Sequence, residues 1–269
     1  MKRKVVLITG GSSGIGKSIG IYLKSKGFVV YGTTRNKYNY PDFKAFSLLE
    51  LDVTRTETIH KAISILLSKE ETLDVLINNA GIGITGALEE TPHEEVLKAF
   101  DTNFNGPLHM VKAVLPQMRK QQSGLIINIT SIAGYMGLPY RGIYSAVKGA
   151  LNILTETLRM ETKDFGVKVT SLAPGDFATN IAAGRYHAPV VEASAYASAY
   201  ERTLQMINDD VDRAQSPELV AKTVLRIIHA KNPKVHYKVG AFMQRFSLLL
   251  KKILPDKIYE KLLLNHYKL

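Results

Sequence analysis

The sequence has 269 residues, of which 45% are hydrophobic, and it contains no cysteine. A chain of this length can bury one substantial core, and the absence of thiols excludes disulfides, thiolate catalysis and zinc–thiolate sites. The net charge of +11 suits an anionic cofactor, a nucleic acid or a membrane surface, but no zinc finger or ribonucleoprotein motif accompanies it, which disfavours nucleic acid.

The apolar runs are too short to act as a signal peptide or to cross a membrane. The first run ends in glycines after five residues, and no stretch approaches the roughly 18 apolar residues of a spanning helix. We therefore expect a cytoplasmic protein, and no spacing of side chains predicts a metal site.

Seven apolar, β-rich runs alternate with longer helical patterns. The predicted strands are 4–9, 28–34, 45–52, 73–78, 124–130, 167–173 and 235–240, and the predicted helices are 15–26, 56–69, 93–120, 142–164, 198–208 and 217–230. The strands are apolar almost throughout, as expected when helices cover both faces of a sheet. The alternation predicts an α/β fold with a doubly wound parallel sheet.

A glycine-rich turn, TGGSSGIG, joins the first predicted strand to the first predicted helix at residues 9–16. Gly10, Gly14 and Gly16 carry no β-carbon, so they permit a tight turn and let the backbone approach a pyrophosphate. The helix that follows offers free N–H groups and the positive end of its dipole. The turn therefore predicts a dinucleotide site, with a glycine-rich turn that binds nothing as the alternative.

The residues after the second predicted strand indicate which dinucleotide binds. An acidic residue there accepts hydrogen bonds from the ribose of NAD, whereas an arginine accommodates the 2′-phosphate of NADP. This chain has Arg35 there and no acid, so we favour NADP(H) over NAD(H), with a solvated surface arginine as the alternative. Asp52, after the third strand, is a candidate to bind the adenine amino group or to cap the next helix, a role that Thr54 can also fill.

Two regions depart from this alternation. Residues 176–215 are rich in Ala and Tyr, show no strand between two helical patches, and are predicted to form a lid or binding loop.

From residue 232 onward, eight basic residues against two acidic ones leave a net charge of +6. Apolar residues recur there at helical spacing, namely Phe242, Phe246, Leu249, Leu250, Ile258, Leu262 and Leu263. They predict an amphipathic extension over 241–269 that packs on the cleft, forms an oligomer contact or lies on a membrane.

Seven short motifs, taken together and in this order, resemble the short-chain dehydrogenase/reductase family. They are Thr9–Gly16, Asp52-Val53, Asn78-Asn79-Ala80-Gly81, Asn103, Ser131, Tyr144-x-x-x-Lys148 and Pro174-Gly175. The resemblance covers residues 4 to about 180 and implies a Rossmann-type sheet of about seven strands in the order 3-2-1-4-5-6-7, with helices on both faces. Residues 1–240 then form one NAD(P)-binding domain.

The resemblance implies a catalytic tetrad of Asn103, Ser131, Tyr144 and Lys148. The Tyr144 hydroxyl would donate a proton to the carbonyl oxygen during ketone reduction, or remove one during oxidation. Because a free tyrosine has a pKa near 10, the Lys148 ammonium is expected to lower the Tyr144 pKa. Ser131 would polarise the substrate carbonyl.

The other implied roles belong to the surroundings of this tetrad. The Asn103 backbone, at a helix irregularity favoured by Pro107, would hold a water that relays protons to Lys148. Lys148 would also hold the nicotinamide ribose. Taken one by one, the residues have ordinary alternatives: Ser131 as a turn cap, Asn103 as a polar helix residue, Lys148 as part of a solvated face. The full set of predicted cofactor contacts is Gly10, Ser12, Ser13, Gly14, Ile15, Gly16, Arg35, Asp52, Val53, Asn79, Ala80, Gly81, Tyr144, Lys148, Pro174, Gly175 and Thr179.

The substrate is indicated less sharply. Predicted contacts are Ser131, Leu138, Tyr144 and Tyr186, while Pro139, Tyr140, Tyr196 and Tyr200 either line the same cleft or fill the core. Relatives that resemble this chain in having a basic, apolar tail handle hydrophobic ketones such as steroids, retinoids, acylated intermediates and 3-keto sphingoid bases. The favoured function is therefore an NADP(H)-dependent carbonyl reductase or alcohol dehydrogenase acting on a lipid-like substrate.

Other functions remain open at this point. A cofactor-binding sensor or scaffold of the same fold is disfavoured by the intact tetrad, and a membrane-binding protein whose tail is its purpose is a further alternative. Epimerases and dehydratases share Tyr-x-x-x-Lys but carry a different glycine spacing. The resemblance also suggests a homodimer or homotetramer built from the helices at 93–120 and 142–164.

Overall fold

The central sheet has seven parallel strands in this computed structural model, which describes residues 3–177, 185–212 and 215–269. The strands are β1 (Val5–Ile8), β2 (Val29–Thr34), β3 (Ser47–Glu50), β4 (Val75–Asn78), β6 (Gly124–Ile129), β7 (Val167–Pro174) and β9 (His236–Val239). Their order is β3-β2-β1-β4-β6-β7-β9, and each neighbouring pair is parallel. Numbered within this sheet alone, the order is the predicted 3-2-1-4-5-6-7, so the predicted fold class is confirmed.

Helices cover both faces of the sheet. They are α1 (Gly14–Ser25), α2 (Thr56–Glu70), α3 (His93–Phe100), α4 (Gly106–Lys120), α5 (Gly142–Glu161), α6 (Ala197–Asp212), α7 (Glu218–His229), α8 (Phe242–Ile253) and α9 (Asp256–Tyr267). Successive strand residues point to opposite faces, which explains why the strands are apolar throughout. Leu7 lies in the core with α2 and α4, and Val6 and Ile8 lie in the core with α1 and α7.

A π-helical turn at Asp101–Asn105 divides the predicted helix over 93–120 into α3 and α4. Pro107 explains the irregularity, because it has no N–H to donate to the carbonyl of Asn103 four residues earlier. A helix irregularity is therefore found at the place where the sequence predicted one.

A second sheet of two short strands was not predicted. β5 (Ile84–Thr85) pairs with β8 (Tyr186–His187), inside the region that the sequence indicated as free of strands. Two-residue strands are too short to show a period of alternation, so no pattern reveals them. The pairing joins the loop after β4 to the segment around Tyr186, because the N–H of Tyr186 donates to the carbonyl of Gly83 over 2.9 Å.

The C-terminal extension is a helix pair that packs on the rest of the fold. α8 and α9 separate at Leu254, whose extended backbone precedes Pro255. Leu248 of α8 and Tyr259 of α9 are buried against Ile132 and Met136. None of the helices within the described ranges combines the length and apolar composition needed to span a lipid bilayer.

Candidate active site

A cleft opens at the carboxyl ends of β1, β4, β6 and β7, where the strand order reverses and open α/β sheets bind ligands. It contains about 690 Å³ of free space, including solvent at its mouth. The lining residues are Ile15, Asn79, Gly81, Ile82, Asn103, Ile129, Thr130, Ser131, Arg141, Tyr144, Lys148, Pro174, Gly175, Asp176, Phe177 and Arg185. All four members of the predicted tetrad therefore meet in one cleft.

The glycine turn is tied to the loop after β4. The Thr9 hydroxyl accepts hydrogen bonds from the N–H groups of Asn79 and Ala80, both over 2.9 Å. The Asn79 side chain returns the contact, because its Nδ2 donates to the Thr9 carbonyl over 2.9 Å. Gly14 has a φ of +51°, which favours glycine, and a β-carbon on Gly16 would collide with the Gly10 carbonyl.

Two features of this corner fit the pyrophosphate and ribose of a dinucleotide. Ser13 precedes α1 without capping it through its side chain, so the first turn keeps N–H groups free for an anion. The Oδ1 of Asn79 is buried in the cleft and has no hydrogen-bond partner among the described residues. A buried acceptor without a donor is costly, and a bound ligand can supply that donor.

The predicted residues for the adenine end lie at the ends of β2 and β3. Arg35 is exposed just after β2, and the neighbouring Thr33 carbonyl accepts from the N–H of Gly11 over 2.9 Å. Asp52 accepts hydrogen bonds from the backbone and hydroxyl of Thr54, so it closes a turn before α2 and caps no helix. Val53 is buried. Thr179, the predicted carboxamide contact, lies outside the described residues.

Asn103 anchors the loop that carries the cleft wall. Its side chain is fully buried, its Oδ1 accepts from the N–H of Ile82 over 2.9 Å, and its Nδ2 donates to the Ile82 carbonyl over 2.8 Å. Both polar atoms of the Asn103 side chain are therefore hydrogen-bonded to the backbone of Ile82. Pro107 has no N–H to give the Asn103 main-chain carbonyl its α-helical donor, so this carbonyl is the candidate atom for another partner.

Ser131 has a local role and also acts on Tyr144, whose pKa its hydroxyl lowers through a hydrogen bond. Its Oγ accepts a hydrogen bond from the Ala133 N–H over 3.1 Å and so caps the 3₁₀ turn at Ile132–Tyr135. The turn-capping alternative is thus observed. A hydroxyl that accepts from the backbone still has its own hydrogen to donate, and Ser131 lines the cleft.

Tyr144 and Lys148 rise from one face of α5. The Lys148 Nζ lies 5.9 Å from the centre of the Tyr144 ring and donates to the Ile129 carbonyl over 3.1 Å. Burial lowers the pKa of Lys148 to about 8. Burial also raises the pKa of Tyr144 above its usual value, although Arg141, Ser131 and Arg185 act in the opposite direction.

The pKa of Tyr144 is therefore raised where a lowering was expected, and the groups that act to lower it are Arg141, Ser131 and Arg185 rather than Lys148. Desolvation of the phenol outweighs the favourable charges around it, and the lysine that was expected to counter it is itself desolvated. With its pKa raised, the Tyr144 hydroxyl keeps its proton at neutral pH.

The predicted substrate residues are only partly brought together. Ser131 and Tyr144 line the cleft, whereas Leu138 packs at the cluster with α8 and α9, and Tyr186 is half-buried in β8. Tyr200 fills the core, with its hydroxyl donating to the Ala188 carbonyl over 2.9 Å. The sequence reasoning missed Arg141, Asp176 and Arg185, because single charged residues outside a motif carry no spacing signal.

Comparison with known proteins gives consistent matches. A family model described as short chain dehydrogenase matches residues 4–189. The 3-ketodihydrosphingosine reductase of Bacteroides thetaiotaomicron is 39% identical over 261 residues, which cover 97% of this chain and 96% of that protein.

Two solved structures share the fold across most of the chain. A short-chain dehydrogenase from Streptomyces avermitilis superposes with a TM-score of 0.84 at 30% identity and covers 99% of this chain and 97% of its own. The structure of ElxO with NADP bound superposes with a TM-score of 0.70 at 28% identity, and the match covers 88% of this chain and 97% of ElxO. The second match places a dinucleotide in a similar fold.

Proposed function

Because the chain belongs to the short-chain dehydrogenase/reductase family, we propose that it reduces the ketone of long-chain 3-keto sphingoid bases with NADPH. Family membership makes it an NAD(P)-dependent oxidoreductase that acts on CH–OH groups. The substrate proposal rests on one observation: the identity to a 3-ketodihydrosphingosine reductase runs through nearly the whole of both chains, including the tail. The test is turnover of a 3-keto sphingoid base compared with turnover of other hydrophobic ketones.

Tyr144 is the proton donor in this proposal. The bound nicotinamide supplies the hydride for the carbonyl carbon, and the carbonyl oxygen then needs a proton. Tyr144 faces the cleft with a pKa raised by burial, so it stays protonated and serves as the acid at neutral pH. Ser131 beside it donates its hydroxyl hydrogen to the same oxygen.

Lys148 and Asn103 support the proton path. With a pKa of about 8, Lys148 is mostly an ammonium at pH 7 and can hold the ribose hydroxyls of the cofactor. The Asn103 carbonyl, without its α-helical donor, can accept a hydrogen bond from a water that leads to the lysine. The intact tetrad in one cleft favours turnover over the sensor alternative.

NADPH is the proposed cofactor because Arg35 directly follows β2, the position at which an arginine accommodates the 2′-phosphate of NADP. We expect Arg35→Ser to weaken NADPH binding by about 10- to 100-fold, the loss that follows removal of a charge-assisted hydrogen bond. NADH binding should change less than about threefold, since NADH has no 2′-phosphate for the arginine to contact. Cofactor fluorescence titration measures both constants.

Arg119→Ser supplies the matched control, because Arg119 is also exposed but lies in the last turn of α4, beside Phe165, and not at the end of β2. It should bind both cofactors like the wild type. Equal weakening of NADPH and NADH by Arg35→Ser, or no weakening of either, would contradict the proposed role of Arg35.

The tail is proposed to contact a membrane surface. One stripe of α8 stays exposed, formed by Phe242, Phe246, Leu249 and Ile253 at helical spacing, with Phe242 and Ile253 each 68% exposed. Lysine and arginine residues flank this stripe, and a basic, apolar helix face suits an anionic lipid surface that also holds a lipid-like substrate.

We expect Phe242→Ser with Ile253→Gln to reduce co-sedimentation with anionic vesicles at least about tenfold, because each exposed side chain contributes roughly 1.5–3 kcal/mol on burial. Ile21→Gln is the control, since Ile21 is 46% exposed on α1, outside the tail. Unchanged sedimentation of the tail variant, or no wild-type binding to vesicles, would contradict a membrane contact.

A homodimer or homotetramer is the proposed assembly. α5 exposes Ile153 and Met160, and Phe165 follows it at 37% exposure. These apolar side chains suit a contact between copies of the chain through α4 and α5. Analytical ultracentrifugation reports the assembly directly.

A further inference from the structure

The cleft has a polar corner that the tetrad does not use. Asp176 follows Pro174-Gly175 at the end of β7, and Arg185 precedes β8. Both line the cleft and both act on the pKa of Tyr144, with Arg185 lowering it and Asp176 raising it. The two side chains therefore lie close to the hydroxyl that meets the substrate carbonyl.

Arg185 presents an unsatisfied donor. Its Nη1 is buried and has no hydrogen-bond partner among the residues that the structure describes. Burial lowers the pKa of this guanidinium, because little water is present to solvate its charge. A β-carbon on Gly83 would stand 2.8 Å from Cγ of Arg185, so the loop before β5 packs directly on the arginine. A buried donor held in this way calls for an acceptor on the ligand.

Asp176 is held in place by the tail. The Nε2 of Gln244, in α8, donates to Asp176 Oδ2 over 2.6 Å, and Gln244 Oε1 accepts from the Asp176 N–H over 3.4 Å. A β-carbon on Gly175 would collide with this amide, so the glycine permits the approach. The remaining oxygen of Asp176 accepts no hydrogen bond from the described part of the chain, which leaves an oriented carboxylate oxygen for a ligand.

We propose that this corner recognises the head group beside the ketone: Asp176 binds the ammonium at C2, and Arg185 donates a hydrogen bond to the oxygen at C1. The inference rests on the proposed function, because a 3-keto sphingoid base carries an amine on C2, next to the C3 carbonyl, and a primary hydroxyl on C1. Asp176 is the carboxylate among the described residues that line the cleft, and it offsets part of the repulsion that Arg141, Lys148 and Arg185 exert on an ammonium. Gln244 is a positioning residue, since it acts through the carboxylate.

The test compares three ketones of equal chain length: the full 2-amino-1-hydroxy-3-ketone, its analogue without the amine, and its analogue without the hydroxyl. We expect Asp176→Asn to lower kcat/KM about 10- to 100-fold for the two amino ketones and less than about threefold for the ketone without the amine. Arg185→Gln should lower kcat/KM about tenfold or more for the two hydroxylated ketones and little for the third.

Gln244→Ala should lower kcat/KM for the two amino ketones relative to the ketone without the amine, as Asp176→Asn does, but by a smaller factor. The binding constant of NADPH should stay unchanged in all three variants. A uniform loss across the three ketones would overturn the inference, because a structural defect does not distinguish head groups. Failure of the proposed function is seen separately, in the wild type: an enzyme that reduces other hydrophobic ketones but neither amino ketone refutes both the substrate and the corner.

Discussion

Tyr144→Phe is expected to lower kcat for ketone reduction by about 10³-fold, within the range of 10²–10⁴ that a positioned proton donor contributes. The phenylalanine keeps the ring and its packing on α5 but removes the only atom of that side chain that can protonate the carbonyl oxygen. The binding of NADPH should change little, since the hydroxyl is needed for chemistry. Single-turnover kinetics at saturating NADPH measures the chemical step directly.

Tyr135→Phe is the matched control for this prediction. The Tyr135 hydroxyl is also buried, has Ser171 as its neighbour and does not line the cleft. Its removal should leave kcat within about twofold of the wild type, because no contact in the cleft is lost. Loss of activity in both variants would show that the tyrosine at 144 acts through the fold and not through proton transfer.

Ser131→Ala is expected to lower kcat by about 10²- to 10³-fold, the effect of deleting one donor to a developing oxyanion. The serine also caps the 3₁₀ turn after β6, so the variant should lose about 1 kcal/mol of unfolding free energy. The two effects are separable, because a cap of that size leaves the protein folded while the rate loss persists well below the melting temperature.

Ser145→Ala provides the comparison. Ser145 follows Tyr144 on α5, and its buried hydroxyl has no partner in the part of the chain that the structure describes. Deleting an unsatisfied hydroxyl costs little, so the activity and the stability should both stay close to those of the wild type. A Ser131→Ala enzyme that retains full kcat would remove the serine from the mechanism.

The sheet was predictable because its signals are repetitive. Parallel strands covered on both faces must be apolar along their whole length, and β1, with four consecutive buried residues, shows this most clearly. The four residues of the predicted tetrad were indicated by the family resemblance and not by any repeated pattern, and the structure brings all four to one cleft. The π-helical turn was indicated by Pro107, which removes one donor at a known distance from Asn103.

Other features depend on contacts that a linear pattern does not contain. β8 exists only because Gly83 and Thr85 offer carbonyls to residues about a hundred positions later. The Asp176–Gln244 contact joins a strand end to the tail, and neither residue type is unusual where it stands. The predicted sign of the Tyr144 pKa shift was wrong, because the shift depends on the balance between burial and nearby charges, and burial is a property of the folded chain.

The tail shows why one pattern supported several predictions. Its apolar residues recur at helical spacing, but packing, oligomer contact and membrane contact all use such a stripe. In the structure, Leu248 and Tyr259 turn toward the segment after Ser131, while Phe242 and Ile253 remain exposed. The two faces of the tail therefore serve different surroundings, and a deletion of residues 242–269 would remove both together.

The most direct test of the central claim is the initial rate at which purified wild-type protein oxidises NADPH with a 3-keto sphingoid base, beside a steroid ketone, a retinoid aldehyde and a 3-ketoacyl thioester. We predict the highest kcat/KM for the sphingoid base, a lower value with NADH, and loss of the rate in Tyr144→Phe. A higher kcat/KM for any of the other carbonyls would contradict the proposed substrate, and turnover that survives in Tyr144→Phe would contradict the mechanism.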